Sequence, residues 1–130
     1  MAVDLSKFLG LYFDESAEHL QCVSQILQDT KNADWRQATR AVHSIKGSSG
    51  AFGFEEIVEL AQLLESALRQ VERAEVVMTA ARLAWCEEAV QSLRLLLEHR
   101  QQGISGDAAR IAAIGERLGA CPVDSAAACG

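Results

Sequence analysis

His43, Lys46, Gly47 and Gly50 stand close together in the run AVHSIKGSSGAFGF, and their types and spacing suit phosphoryl chemistry. Positions three and four apart on a helix are neighbours. Lys46 therefore lies beside the imidazole of His43, while Gly47 and Gly50 leave the next turns bare of side chains. Such a histidine is open to a bulky visitor. A glycine inside a helix costs about 1 kcal/mol relative to alanine, so two of them need compensation, from access for a partner or from close helix packing. We read access, with close packing as the alternative.

Histidine accepts a phosphoryl group when one ring nitrogen is exposed and unprotonated while a hydrogen bond to the other fixes the tautomer. A carboxylate is the usual holder. Glu65 is the candidate: Val58, Gln62, Glu65 and Arg69 recur out of phase with the apolar Leu60, Leu64 and Leu68, so one polar side of their helix could face His43 across an antiparallel pair. A glutamate accepting from Nδ1–H leaves Nε2 as the nucleophile. Lys46 would then meet the phosphoryl oxygens as a point charge, an attraction of about 0.2–1 kcal/mol at an exposed site, which positions the group without trapping it.

Helical elements must hold these residues. The segment from Leu5 to Gln102 has no proline and few turn clusters, which predicts long helices and an all-α fold. A first helix is expected from about Leu5 to Asp29, capped by Asp4, with Leu9, Phe13, Leu20, Val23 and Leu27 on its core face and Ala17 and Ile26 alongside. Asp34 caps a second helix, with Trp35, Ala38, Ala41, Val42 and Ile45 inward and His43 outward. A turn is expected over Gly50, Gly53 and Phe54. A third helix runs from about Glu55 to Arg73 on Ile57, Leu60, Ala61, Leu64, Leu68 and Val71; a fourth follows Thr79 on Leu83, Cys86, Val90, Leu93 and Leu97. Connections this short join antiparallel neighbours, predicting an up-down-up-down bundle over about residues 5–102. A shorter fifth helix is expected over about 107–118, closing a domain that spans 1–119. Residues 120–130 read as a linker or tail, such as begins in a longer protein.

A formal net charge of −6 with scattered basic residues gives no footprint for nucleic acid or an anionic membrane. No apolar run approaches a membrane span and MAVDLSK lacks a signal-peptide pattern, so a cytoplasmic chain is expected. Cys22, Cys86, Cys121 and Cys129 are too widely spaced for a CxxC motif and are read as reduced thiols, the first two as small buried hydrophobes.

His43, Lys46, Gly47 and Gly53 reproduce the HxxKGxxxxxG pattern of histidine phosphotransfer (HPt) domains. HSIKG followed by FGF, with the opening DLSKFLGLYFDESAEHL, resembles the P1 domains of CheA-type chemotaxis kinases over about residues 4–100. The expected fifth helix also suits P1 domains better than stand-alone phosphotransfer proteins. The resemblance implies that His43 is phosphorylated, Glu65 holds its Nδ1 and Lys46 assists. It also implies that a separate CheA-type kinase domain uses ATP and that the acceptor is an aspartate of a CheY-like receiver, which carries the magnesium. No cofactor or metal is implied for the domain itself, which is expected to be monomeric. Gln62 departs from the pattern, since many P1 domains carry a second histidine there; its amide hydrogen-bonds but does not titrate.

His19 and His99 lack the glycine gap and the lysine, and are read as boundary or helix-terminal residues. Phe8 and Tyr12, at i and i+4 on the first helix, are core-edge or partner-docking residues, with Val58 and Arg69 as further docking candidates. The chain carries no nucleotide-binding motif and could not phosphorylate itself. The alternatives are a stand-alone phosphotransfer protein of a relay and a non-catalytic helical adaptor. A metal or haem bundle ranks lower, because the paired Glu-x-x-His pattern of carboxylate-bridged sites is missing.

Overall fold

The computed structural model describes residues 5–103. They form four helices, α1 (Leu5–Gln28), α2 (Trp35–Ala51), α3 (Glu55–Glu72) and α4 (Ala80–Gln101), with one 3-10 turn at Thr30–Asn32 and no strand among the described residues. The expected fifth helix and tail lie outside them.

Local chemistry sets the boundaries. The Asp34 carboxylate accepts the Gln37 amide N–H at 3.1 Å and the Thr79 hydroxyl accepts that of Arg82 at 3.2 Å, so both caps act as the sequence indicates. The turn after α2 starts later than expected, because the helix carries on through Gly50 to Ala51. It stops where Phe54 N–H bonds to the Ser49 carbonyl and Gly53 N–H to that of Gly50, a Schellman closure with Gly53 at φ +75°. Glycine is needed there for its backbone. The end of α3 repeats the closure, with Glu75 N–H on Gln70 and Ala74 N–H on Val71, yet the left-handed position at φ +58° is an alanine.

The apolar stripes meet in one core. Leu20, Val23, Val42, Ile45, Ile57, Leu64, Leu68, Val90 and Leu93 are essentially inaccessible. Tyr12, Ser16, Trp85, Ala89 and Leu96 are buried beside them, because a packed helix buries a face wider than a single i, i+3/i+4 row. Ala17, expected next to the core, is exposed, and Cys22 is only half-buried whereas Cys86 is fully buried. No described helix is long and apolar enough to cross a membrane.

Helices α2 and α3 pack most extensively, α1 lies against α2 and α4, and α3 lies against α4. Hydrogen bonds join His43 to Glu65 and Lys46 to Gln62, and Gly50 faces Val58. Rising numbers on α2 meet falling numbers on α3, so this pair is antiparallel. At the turn end, the only tyrosine and three of the four phenylalanines cluster: the Tyr12 ring meets Phe13 and Phe54 edge-on and Phe52 at a tilt, with centroids 5.0–5.6 Å apart, and its hydroxyl hydrogen-bonds Ser49 Oγ at 2.6 Å. Arg100 closes this end, donating to both oxygens of Glu56 at 2.5 and 2.7 Å and lying 4.6 Å over the Phe54 ring.

Candidate functional site

Glu65 is the centre of the polar side of the α2–α3 pair. Its spacing from Leu64 and Leu68 turns it from the middle of the core toward α2, yet it is 0% exposed and not the solvated face residue that a glutamate beside a leucine stripe usually is. Three donors satisfy it. His43 Nδ1 lies 2.5 Å from Oε2, Arg69 Nη2 donates to the same oxygen at 3.0 Å, and Lys46 Nζ donates to Oε1 at 2.6 Å. Burial alone would raise this carboxyl, but hydrogen bonds from Lys46 and His43 and the charges of Lys46 and Arg69 outweigh it and hold the group below the ordinary carboxylate range.

The tautomer of His43 follows from that charge. An ionised carboxylate only accepts, so Nδ1 carries the proton and, in the neutral ring, Nε2 keeps its lone pair. The side chain is 64% exposed and Nε2 has no partner among the described residues. One ring nitrogen is thus anchored in the protein and the other is available to an electrophile from solution.

Lys46 is held twice, by Glu65 and by Gln62 Oε1 at 2.9 Å. The Gln62 amide then directs its Nε2 to Ser66 Oγ at 3.1 Å. At this position the chain places a neutral link between the lysine and a serine. A Cβ built at Gly47 would meet nothing within 4 Å, and at Gly50 only Val58 Cγ2 at 3.9 Å, an ordinary contact. Close helix packing is therefore not the reason for Gly47. Gly53, the last residue of the pattern, serves the turn.

The docking candidates separate. Phe8 is 53% exposed on α1, beside the equally exposed Leu11, and Val58 is half-buried. Tyr12 is only 4% exposed, which corrects its reading as a docking residue: the ring belongs to the aromatic cluster and the hydroxyl is used by Ser49. Arg69 is bonded into the Glu65 site. Sequence reasoning passed over that link although Glu65 and Arg69 are an i, i+4 pair in the favourable order, glutamate first. Ser66 was missed for want of any such signal. No cluster of three or more His, Cys, Asp or Glu side chains suited to a metal occurs among the described residues.

Comparison with known proteins points the same way. The chemotaxis protein CheA of Salmonella typhimurium is 38% identical over 81 residues, covering 58% of this chain and 12% of that protein. CheA of Bacillus subtilis is 29% identical over 109 residues, 80% of this chain and 16% of that protein. This chain thus spans less than a fifth of these curated relatives. The solution structure of the histidine phosphotransfer domain of CheA superposes with a TM-score of 0.71 at 25% identity, over 86% of this chain and 89% of that one. The family model for the Hpt domain matches residues 7–103, the same span that builds the four helices and the His43 site, and the chain belongs to the Hpt domain family.

Proposed function

We propose that the chain is the phosphotransfer module of a CheA-type chemotaxis kinase, in which His43 takes a phosphoryl group from ATP held by a kinase domain and hands it to an aspartate of a CheY-like receiver. The carrying observation is the buried, ionised Glu65 that fixes the Nδ1–H tautomer of a solvent-facing histidine. In the first step Nε2 attacks the γ-phosphorus, an N–P bond forms, and the bond to the β–γ bridging oxygen breaks with its electron pair leaving on ADP. The ring becomes cationic while Nδ1 keeps its proton, and Glu65 balances that charge. In the second step an aspartate oxygen attacks phosphorus and the N–P electron pair returns to Nε2. Lys46 faces the phosphoryl oxygens, which lowers the repulsion between the donor's anionic group and an incoming carboxylate.

The up-down-up-down course of the whole bundle, with a fifth helix over about 107–118 and a linker beyond, is part of this reading. So are a monomeric domain, a cytoplasmic location, magnesium on the receiver and no resident cofactor. Gly47, Gly50 and Phe8 would border the surface on which kinase and receiver dock in turn. Likeness to CheA proteins favours the chemotaxis kinase over a stand-alone relay protein, and the held tautomer favours either over an adaptor.

The test is to mix the chain with a CheA kinase core and ATP labelled on the γ-phosphate. Wild type should take up acid-labile, base-stable label that a CheY-like receiver removes, and His43→Gln, outside the core, should fold alike and take up none. Label retained in that variant would place the acceptor elsewhere, and an unlabelled wild type would leave the adaptor reading.

A further inference from the structure

We infer that Arg69 is a positioning residue for His43, acting through Glu65 and not by touching a docking partner; the inference rests on the phosphotransfer reading above. Arg69 Nη2 and His43 Nδ1 share one oxygen of the Glu65 carboxylate, at 3.0 and 2.5 Å, while Lys46 holds the other at 2.6 Å. The terminal torsion of a glutamate is broad and two-fold. Donors on both oxygens stop that rotation and aim Oε2 at the ring. Of the three donors, only Arg69 lies on the same helix as Glu65, one turn away, so it orients the carboxylate without depending on how α2 sits. The other two arrive from α2 and find the acceptor already set.

Charge gives Arg69 a second effect. Two cations face one carboxylate, so with a neutral imidazole the cluster of His43, Lys46, Glu65 and Arg69 carries a surplus positive charge. A buried carboxylate stripped of its cations is strongly disfavoured. Were Lys46 the only cation, turning toward an arriving phosphoryl group would leave Glu65 paired with the ring alone. With the guanidinium in place, Glu65 stays paired and the ammonium, a point charge on a flexible stem, is free to turn. Lys46 is thereby the exchangeable partner and Arg69 the fixed one.

The test uses the whole chain with 15N-labelled histidine, in Arg69→Gln, Arg69→Lys, Glu65→Gln and the double variant Glu65→Gln/Arg69→Gln. Arg69 is partly exposed and at the edge of the site, so its variants should melt near wild type. Arg69→Gln should lower the Nδ1–H fraction of His43, read from the ring 15N shifts, and slow phosphorylation by a CheA kinase core about tenfold. Arg69→Lys should recover part of both, and in the Glu65→Gln background the Arg69 change should have no further effect on rate. Ring shifts unchanged from wild type would overturn the inference. So would a loss of rate that multiplies with that of Glu65→Gln, since it would mark a residue that meets the partner directly. The ring shifts need no phosphotransfer, so an unlabelled wild type would end the reading of function while leaving the role of Arg69 to be decided by NMR.

Discussion

Helix α3 buries two glutamates in different ways. Glu56, in its first turn, is gripped by the single guanidinium of Arg100, which uses two donors on the two oxygens and covers itself with the Phe54 ring. Glu65, more than two turns later, divides its oxygens among three donors from two helices, one of them an exposed imidazole. Both carboxyls sit below the ordinary range, Glu56 because of the Arg100 hydrogen bonds against opposing burial, Glu65 because its donors outweigh burial. The bidentate pair has no reactive member and ties the start of α3 to the end of α4. The shared carboxylate gives one of its interactions to a group that is 64% exposed. Burial and an altered pKa alone do not separate a lock from a site; the identity and exposure of the donors do.

If that contrast is right, the two glutamates should fail in different measurements. Glu65→Gln should slow phosphorylation of His43 by about 10–100-fold, because the amide directs a donor where donors already point and the tautomer is no longer enforced. Its full burial also implies a loss of about 1–3 kcal/mol, more than its place opposite the leucine stripe suggests. Labelling kinetics and thermal melts check the two parts, and an unchanged rate would put Glu65 with Glu56 as a structural acid.

Arg100→Ala should do the reverse. It leaves Glu56 without its cation and the turn end without its cover, at a cost of about 1–3 kcal/mol for a partly exposed pair. The phosphorylation rate at a temperature where the variant is folded should match wild type. A matching fall in rate would show that the lock also shapes the site.

Acid should weaken both regions together. Each carboxyl is depressed in the folded state relative to the 4.5 of the free side chain, so the unfolded chain takes up protons first as pH falls. The stability they contribute is complete above about 4.5 and is lost progressively below it, toward the folded-state values. Melting temperature should drop as pH falls below about 4.5, with a shallower drop in Arg100→Ala, which has already lost the Glu56 share.

The smallest effect concerns neither glutamate. Ala74 holds the left-handed position that Gly53 holds after α2, and Ala74→Gly should relieve the steric cost, less the added freedom of the unfolded chain, for a gain of about 0.5–1 kcal/mol. The rate should stay as in wild type. A stabilised protein with unaltered labelling would show that stability and reactivity can be moved separately, as the contrast requires.

Much of this molecule was legible in its residues. Asp34 and Thr79 cap through side chains within three residues of the amides they bind, Gly53 meets a backbone need, and the leucine rows of α3 fix which side faces the core; all are short-range and follow from helix geometry. His43, Lys46 and Glu65 could be brought together because each lies on one face of a regular helix and the two helices are joined by a tight turn. What spacing could not supply was depth and distant pairing. The complete burial of Glu65, the withdrawal of Tyr12 into an aromatic cluster with its hydroxyl on Ser49, and the clasp of Arg100 on Glu56 depend on helices meeting across 37 to 44 residues of sequence or on how closely they approach. Periodicity says which way a side chain points from its own helix. Only the packed bundle decides what it meets there and whether water is still present, and that sets the charge state of Glu65 and, through it, which nitrogen of His43 is free.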